Sequence, residues 1–265
     1  VFVNPQLYDD EKALEAIVSG DVHLAAPSLA KLEKYTKKLQ VFDLPFIFES
    51  MTSVEKFQAS ETGQQLLLSM ESKGFVGLGY LHGGMKHLSA NKPLLVPDDA
   101  EGLTFLVQTS ELNSEMIKAL GARGQKLPLK EVYDALQNGV VNGQGNTWSN
   151  IYTNKFFKVQ DGATETSHVV LDYLMIVSSE WDEGLHVDVR NQFKQIIDEV
   201  LAERNKLSVE INETYKQKII DAGGKVRKLT SEQRQLWVDR MQPVWEKYEK
   251  NIGADIINAA RDSNS

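Results

Sequence analysis

Cysteine is absent from all 265 residues, which excludes disulfides, thiolate nucleophiles and cysteine-based metal sites together. No apolar run approaches the roughly 20 residues that a membrane-spanning helix needs. The longest runs, such as Val169–Leu171 and Leu174–Val177, are strand-sized. Concentrated positive charge is missing too: 29 Lys and Arg face 37 Asp and Glu, for a formal net charge of −8. Nucleic acid is therefore disfavoured as a partner, because phosphate binding relies on clustered Lys and Arg. The densest basic run, Lys34–Lys38, reads as a solvated helix face.

Catalytic signatures are equally scarce. Gly77-Leu-Gly79-Tyr-Leu-His82 follows a strand pattern, but His82 stands where a dinucleotide loop requires its third glycine. There is no phosphate loop ending in Lys-Ser/Thr and no Gly-x-Ser-x-Gly elbow. His23, His82, His87, His168 and His186 form no i, i+4 pair with a neighbouring Glu, and the five-residue separation of His82 and His87 does not define a metal site. Asp9-Asp10 and Asp98-Asp99 fall at helix starts, where they complement the helix dipole. Asn212-Glu-Thr214 is a formal glycosylation triplet inside a helical stretch and reads as coincidental. No metal, cofactor or catalytic residue is expected.

What is present suits a globular α/β protein: 42% hydrophobic and 25% charged residues, in a chain long enough for two lobes. Short apolar runs alternate with amphipathic stretches. Strands are predicted at Val1–Val3, Val22–Ala26, Phe75–Leu81, Leu103–Gln108, from Val140-Val141, at His168–Val177 and at Lys225–Leu229. Asn4-Pro5 marks a turn. Helices are predicted at Asp9–Ser19, closed by Gly20, and from Ser53 toward Met70 behind a Thr52-Ser-Val-Glu55 capping box. Others cover Glu111–Leu120 and Leu129–Gln137. Lys86–Pro97, with Asn91, Pro93 and Pro97, reads as an irregular crossing segment. From Val187 to Ile220 the positions Val189, Phe193, Ile196, Ile197, Val200 and Leu201 repeat with helical period, and Gly223-Gly224 ends the run. Thr230-Ser-Glu-Gln233 is a second capping box, opening a helix with Leu236, Trp237, Met241 and Trp245 that Pro243 should kink or interrupt.

Several segments then fall in a telling order: Asn4-Pro-Gln-Leu-Tyr8, Gly20-Asp-Val22, Ala26-Pro-Ser-Leu29 and Leu39-Gln-Val-Phe-Asp-Leu-Pro-Phe46, followed by Gly84-Met-Lys86, Leu88-Ser-Ala-Asn-Lys-Pro-Leu94, Glu131-Val-Tyr133 and Asn146-Thr-Trp-Ser-Asn150. In content and spacing the sequence resembles the DctP family, the substrate-binding proteins of TRAP transporters for C4-dicarboxylates. The resemblance implies a two-lobed, periplasmic-binding-protein-like α/β fold with a long helix spanning both lobes. One lobe would comprise 1–84 and 172–212, the other 85–171 and 213–265, with the ligand cleft between them. It also implies a periplasmic location, a small organic acid of the C4-dicarboxylate class as ligand, and the membrane permease subunits of a TRAP transporter as partner, without membrane insertion of this chain. The family start lies one strand and one helix upstream of Val1; with no leader and no initiator Met, a trimmed or mature product is expected.

By the same resemblance, the family's carboxylate-binding Arg falls on the strand after Pro97-Asp-Asp-Ala-Glu-Gly102, where this chain has Leu106. That loses both a charge and a bidentate donor fork. Leu81 stands where an aromatic is usual, Gly83 and Ser167 where Asn is usual, and Gly145 where Glu is usual. The scaffold motifs are kept and the pocket motifs differ, as altered specificity would require. The retained polar candidates for ligand contact are Ser28, His82, Lys86, Gln108, Asn146 and Asp172, with Trp148 as a possible apolar wall and Leu106 at the carboxylate position. Each also has a structural reading: Ser28 as a helix cap, Asn146 satisfying turn backbone, Asp172 in an internal ion pair, Trp148 in the core. Alternatives to an importer subunit are a scaffold with altered or lost ligand specificity and an enzyme with an interlobe active site.

Overall fold

Two long antiparallel strands organise the fold. The computed structural model describes Tyr8, residues 10–107 and residues 110–265. The expected strand at Val1–Val3 and turn at Asn4-Pro5 lie outside those residues. The strands are β1 (Leu24–Ala25), β2 (Phe75–Ala90), β3 (Thr104–Leu106), β4 (Arg123–Gln125), β5 (Gly143–Asn146), β6 (Gly162–Ser178) and β7 (Val226–Lys228). They form one sheet in the order β1-β6-β2-β5-β3-β4, with β7 added alongside β6. The helices are α1 (Asp10–Ser19), α2 (Met51–Ala59), α3 (Glu61–Leu67), α4 (Glu111–Ala119), α5 (Leu129–Gln137), α6 (Trp148–Thr153), α7 (Ser179–Gly184), α8 (Val187–Asp221), α9 (Ser231–Ile252) and α10 (Ala254–Asp262).

β2 and β6 pair along nearly their whole length, from Phe75↔Ser178 to Ala90↔Gly162. Their register shifts between Gly77 and Gly79, His82 and Gly84, and Lys86 and Leu88; such bulges bend a strand and re-aim its side chains. Two expectations are corrected here. Lys86–Pro97 is not an irregular crossing over its whole length, because β2 continues to Ala90 with β6 on one side and β5 on the other. Likewise β6 begins at Gly162, six residues before His168. Two-sided hydrogen bonding holds these polar stretches extended, where local propensity does not favour a strand.

The helix from Ser53 is also two helices. Ser50, rather than Thr52, caps α2 by accepting from Ser53 N at 3.2 Å. Ser60 then ends α2 and caps α3, accepting from Gly63 N at 3.2 Å. The strand near Val22 is only Leu24–Ala25, and the one expected from Val140 starts at Gly143. α8 is one unbroken helix of 35 residues, roughly 50 Å long at 1.5 Å per residue. Its apolar positions divide: Ile197 and Leu201 are buried, whereas Val189, Ile196 and Val200 face solvent. The Thr230/Gln233 capping box forms as expected, and α9 runs through Pro243 without interruption.

The main core gathers Phe42, Phe48, Phe57 and Tyr80, whose rings lie 5.4–5.8 Å apart. Aromatic pairs of this kind add about 0.5–1.5 kcal/mol each beyond area burial. They hold the 3₁₀ turn Lys38–Asp43 and α2 against β2. The penultimate helix α9 is tied on by Trp237 Nε1, donating to Leu95 O at 3.1 Å, and Trp245 Nε1, donating to Pro45 O at 2.8 Å.

Candidate ligand-binding site

A cavity of about 630 Å³ opens where β2, β5 and β6 meet β3, α4 and the residues before α5. That is within the size range of small-molecule sites. Four expected site residues line it: Ser28, Lys86, Leu106 and Asn146. Lys86 is buried. Burial lowers its pKa from the usual amine value, while the nearby Asp43 carboxylate pulls the other way. Burial in turn pushes Asp43 up to about 6, against the opposing effect of Lys86. The two groups therefore share a buried, mutually compensating site.

Asn146 ends β5 with its side chain fixed. Its Oδ1 accepts from Thr147 N at 3.0 Å and from Asn150 Nδ2 at 2.7 Å, which leaves its NH₂ group to donate elsewhere. Thr147 caps α6, its hydroxyl accepting from Asn150 N at 3.4 Å, so one turn positions both amides. Ser28 occupies an N-cap position before the 3₁₀ turn Leu29–Lys34, but its hydroxyl makes no cap bond. Its backbone bridges Tyr173 of β6.

The structure also brings Tyr173, His168 and Leu171 of β6, Asn150 of α6 and Asn113 of α4 to the cavity. None of these was singled out for ligand contact from the sequence. Burial, then the Lys86 ammonium, then His87 hold the His168 imidazole well below its usual pKa, so it is neutral. Its Nδ1 lies 2.8 Å from Thr166 Oγ1 and its carbonyl accepts from Phe46 N at 2.6 Å. A Cβ added to Gly145 would come within 2.9 Å of His168 Nε2. The glycine thus leaves room that any side chain would take from the ring or the cavity.

His82, Trp148 and Asp172 do not line this cavity. His82 Nε2 is 2.8 Å from Gln58 Oε1, and Gln58 Nε2 donates to Asp172 Oδ2 at 2.7 Å. Burial holds His82 down to about 4 and Asp172 well above its usual value. The trio is a largely uncharged buried brace between α2, β2 and β6. Trp148 is buried with its ring stacked on His87 at 4.3 Å. Gln108 lies outside the described residues. Leu81 packs against the apolar cluster of Leu78, Val177, Ile197 and Leu201, away from the cavity. Ser167 has φ 45°, a region where Asn is better tolerated.

Beside this brace Asn212 of α8 joins two parts of the chain. It donates from Nδ2 to Gly83 O at 2.9 Å and accepts at Oδ1 from Ser149 N at 3.2 Å. The sequence matches the DctP family, described as bacterial extracellular solute-binding protein, family 7, over residues 1–251.

The chain belongs to the DctP family.

A curated DctP relative is the C4-dicarboxylate-binding periplasmic protein of Vibrio cholerae, 55% identical over 264 residues that cover 100% of this chain and 80% of that protein. Among solved structures, a TRAP periplasmic solute-binding protein from Shewanella oneidensis with bound succinate superposes with a TM-score of 0.93 at 46% identity. The match covers 99% of this chain and 86% of that one. The corresponding Pseudomonas aeruginosa protein with bound L-malate gives 0.86 at 38% identity, covering 92% and 86%. The chain shares the two-lobed α/β fold of these DctP proteins. It is a solute-binding component of transport, a family role that rests on capture and not on turnover. No helix among the described residues is long and apolar enough to cross a membrane.

Proposed function

We propose that this DctP protein captures a small organic acid in the cavity around Lys86, closes over it, and delivers it in the periplasm to the permease subunits of a TRAP importer. The observation that carries this reading is a buried lysine amine on the wall of a ligand-sized cavity, with the fixed amide of Asn146 on the same wall. A carboxylate is the natural complement of such a group. The succinate- and malate-bound relatives support the same ligand chemistry.

Closure needs two lobes and a hinge. We assign 1–84 and 172–212 to one lobe and 85–171 and 213–265 to the other. The three crossings in this division converge. Gly84 pairs with Leu171 beside the register shift after His82, and Asn212 is bonded to Gly83 O. α9 touches both halves through Arg240–Asp98, Lys247–Glu115 and Trp245–Pro45. A ligand that contacts both lobes favours the closed form by its differential affinity for it, and closure expels water from the cleft.

Thermal unfolding with a panel of dicarboxylates, monocarboxylates, amino acids, sugars and aromatic acids tests the proposal. A true ligand at about 100 times its Kd stabilises the fold by roughly 2.7 kcal/mol. A shift with one or more acids supports capture. A cooperative melt that no compound moves contradicts it and points to a scaffold that has lost its ligand.

A further inference from the structure

The charge inventory of the cavity narrows the acid, an inference that rests on the organic-acid reading above. Among the described lining residues Lys86 is the one buried cation, and no arginine lines the cavity. Lys31 and Lys126 also line it, but Lys31 is partly exposed and Lys126 exposed, where water and salt screen them. Asp43 interacts with Lys86 inside the protein. Whether the shared proton sits on the amine or on the carboxyl, the pair has no net charge. His168 adds none.

One ligand carboxylate fits this arrangement: it docks on Lys86 while Asp43 takes up a proton, and the buried site stays neutral. A second carboxylate has no buried cation to meet, and the water-screened Lys31 and Lys126 repay little of its desolvation. The wall built by β3 and α4 is apolar through Phe105, Leu106, Val107, Met116 and Ile117, and Asn113 is its one buried amide. An apolar body gains by burial there, and a single hydroxyl or keto group could meet Asn113.

We propose that the cavity takes a monocarboxylate, with its one carboxylate on Lys86 and an uncharged, mainly apolar body against Leu106.

Isothermal titration calorimetry on the intact chain with length-matched ligands tests this: butanoate against succinate, pentanoate against glutarate, and butanamide as the uncharged control. Each monocarboxylate should bind at least tenfold more tightly than its dicarboxylate, and butanamide more weakly than butanoate. Succinate or glutarate binding as tightly as its partner overturns the proposal and leaves the binding-protein reading intact. Butanamide matching butanoate overturns the Lys86 anchor. Failure of every acid of both kinds overturns this proposal and the reading beneath it. In Leu106→Arg the preference should move toward succinate by at least tenfold, and a folded variant with unchanged preference counts against the apolar wall. Should that variant fail to melt cooperatively, the wild-type pairs decide alone.

Discussion

Asn150 Nδ2 donates to Asn146 Oδ1 over 2.7 Å, linking the first turn of α6 to the last residue of β5. With Thr147 N also donating to that oxygen, the orientation of the Asn146 amide is set before any ligand arrives. Preorganisation of this kind reduces what binding must spend on ordering side chains. Asn150→Ala should therefore weaken ligand binding by about tenfold with little change in melting temperature, since Asn150 is only partly buried. Calorimetry and a circular-dichroism melt on the same variant check both halves; unchanged affinity would count against a positioned amide.

Asp43 makes binding pH-dependent. Its carboxyl is pushed up to about 6 by burial, partly opposed by Lys86. An arriving carboxylate competes for Lys86 and raises the Asp43 pKa further, so binding above pH 6 takes up a proton. Affinity should fall as pH rises from 6 to 8, at up to about tenfold per pH unit. Titrations in buffers of different ionisation enthalpy should show the uptake. Asp43→Asn should flatten the profile, and a wild-type affinity that ignores pH would contradict the linkage.

His87 gives the acid limb of the stability curve. Burial first, and then the Lys216 ammonium, hold its ring down to about 3, against an ordinary value of about 6.5. The unfolded chain therefore binds a proton near pH 6.5 that the folded chain refuses until about 3. This contribution is complete above pH 6.5 and is lost as pH falls, by up to about 1.4 kcal/mol per pH unit. His82 and His168 act in the same direction, while Asp43 and Asp172 act in the opposite one. His87→Phe keeps a ring against Trp148 and should make the acid slope shallower by about that amount. Urea unfolding at pH 7, 6, 5 and 4 measures it, and an unaltered slope would refute the assignment.

Ser167 holds φ 45° without a side chain suited to it. Ser167→Asn should stabilise the protein by about 0.5–1 kcal/mol, because Asn tolerates the left-handed region better. The check is a shift of the urea midpoint with unchanged m-value; a loss of stability would show that the surroundings cannot accept the larger amide.

The sequence made some parts of the fold and site legible and left others hidden for physical reasons. α8, α9 and the Thr230 cap could be read locally, because periodicity and capping depend on neighbours in sequence. The extension of β2 through Lys86–Ala90 could not, because its hydrogen bonds come from β5 and β6, far away in the chain. Ser28, Lys86, Leu106 and Asn146 were reached through the resemblance and do meet at one cavity. His168, Leu171 and Tyr173 were missed as ligand contacts, since β6 is covered on both sides and its bulges against β2 decide which side chains face the cavity. His82 and Asp172 looked equally polar in sequence, yet they face the Gln58 brace.

Lys86 is the proposed carboxylate anchor of this cavity. The most direct test compares, by calorimetry, the wild-type chain with the double variant Lys86→Met/Asp43→Asn, which removes the ammonium without leaving Asp43 as a buried unpaired charge. With the tightest-binding acid from the panel, the wild type should show saturable one-to-one binding and the variant, still melting cooperatively, a loss of at least about tenfold, the scale expected for a lost charge-assisted hydrogen bond. Equal affinity in the two proteins would contradict that anchor.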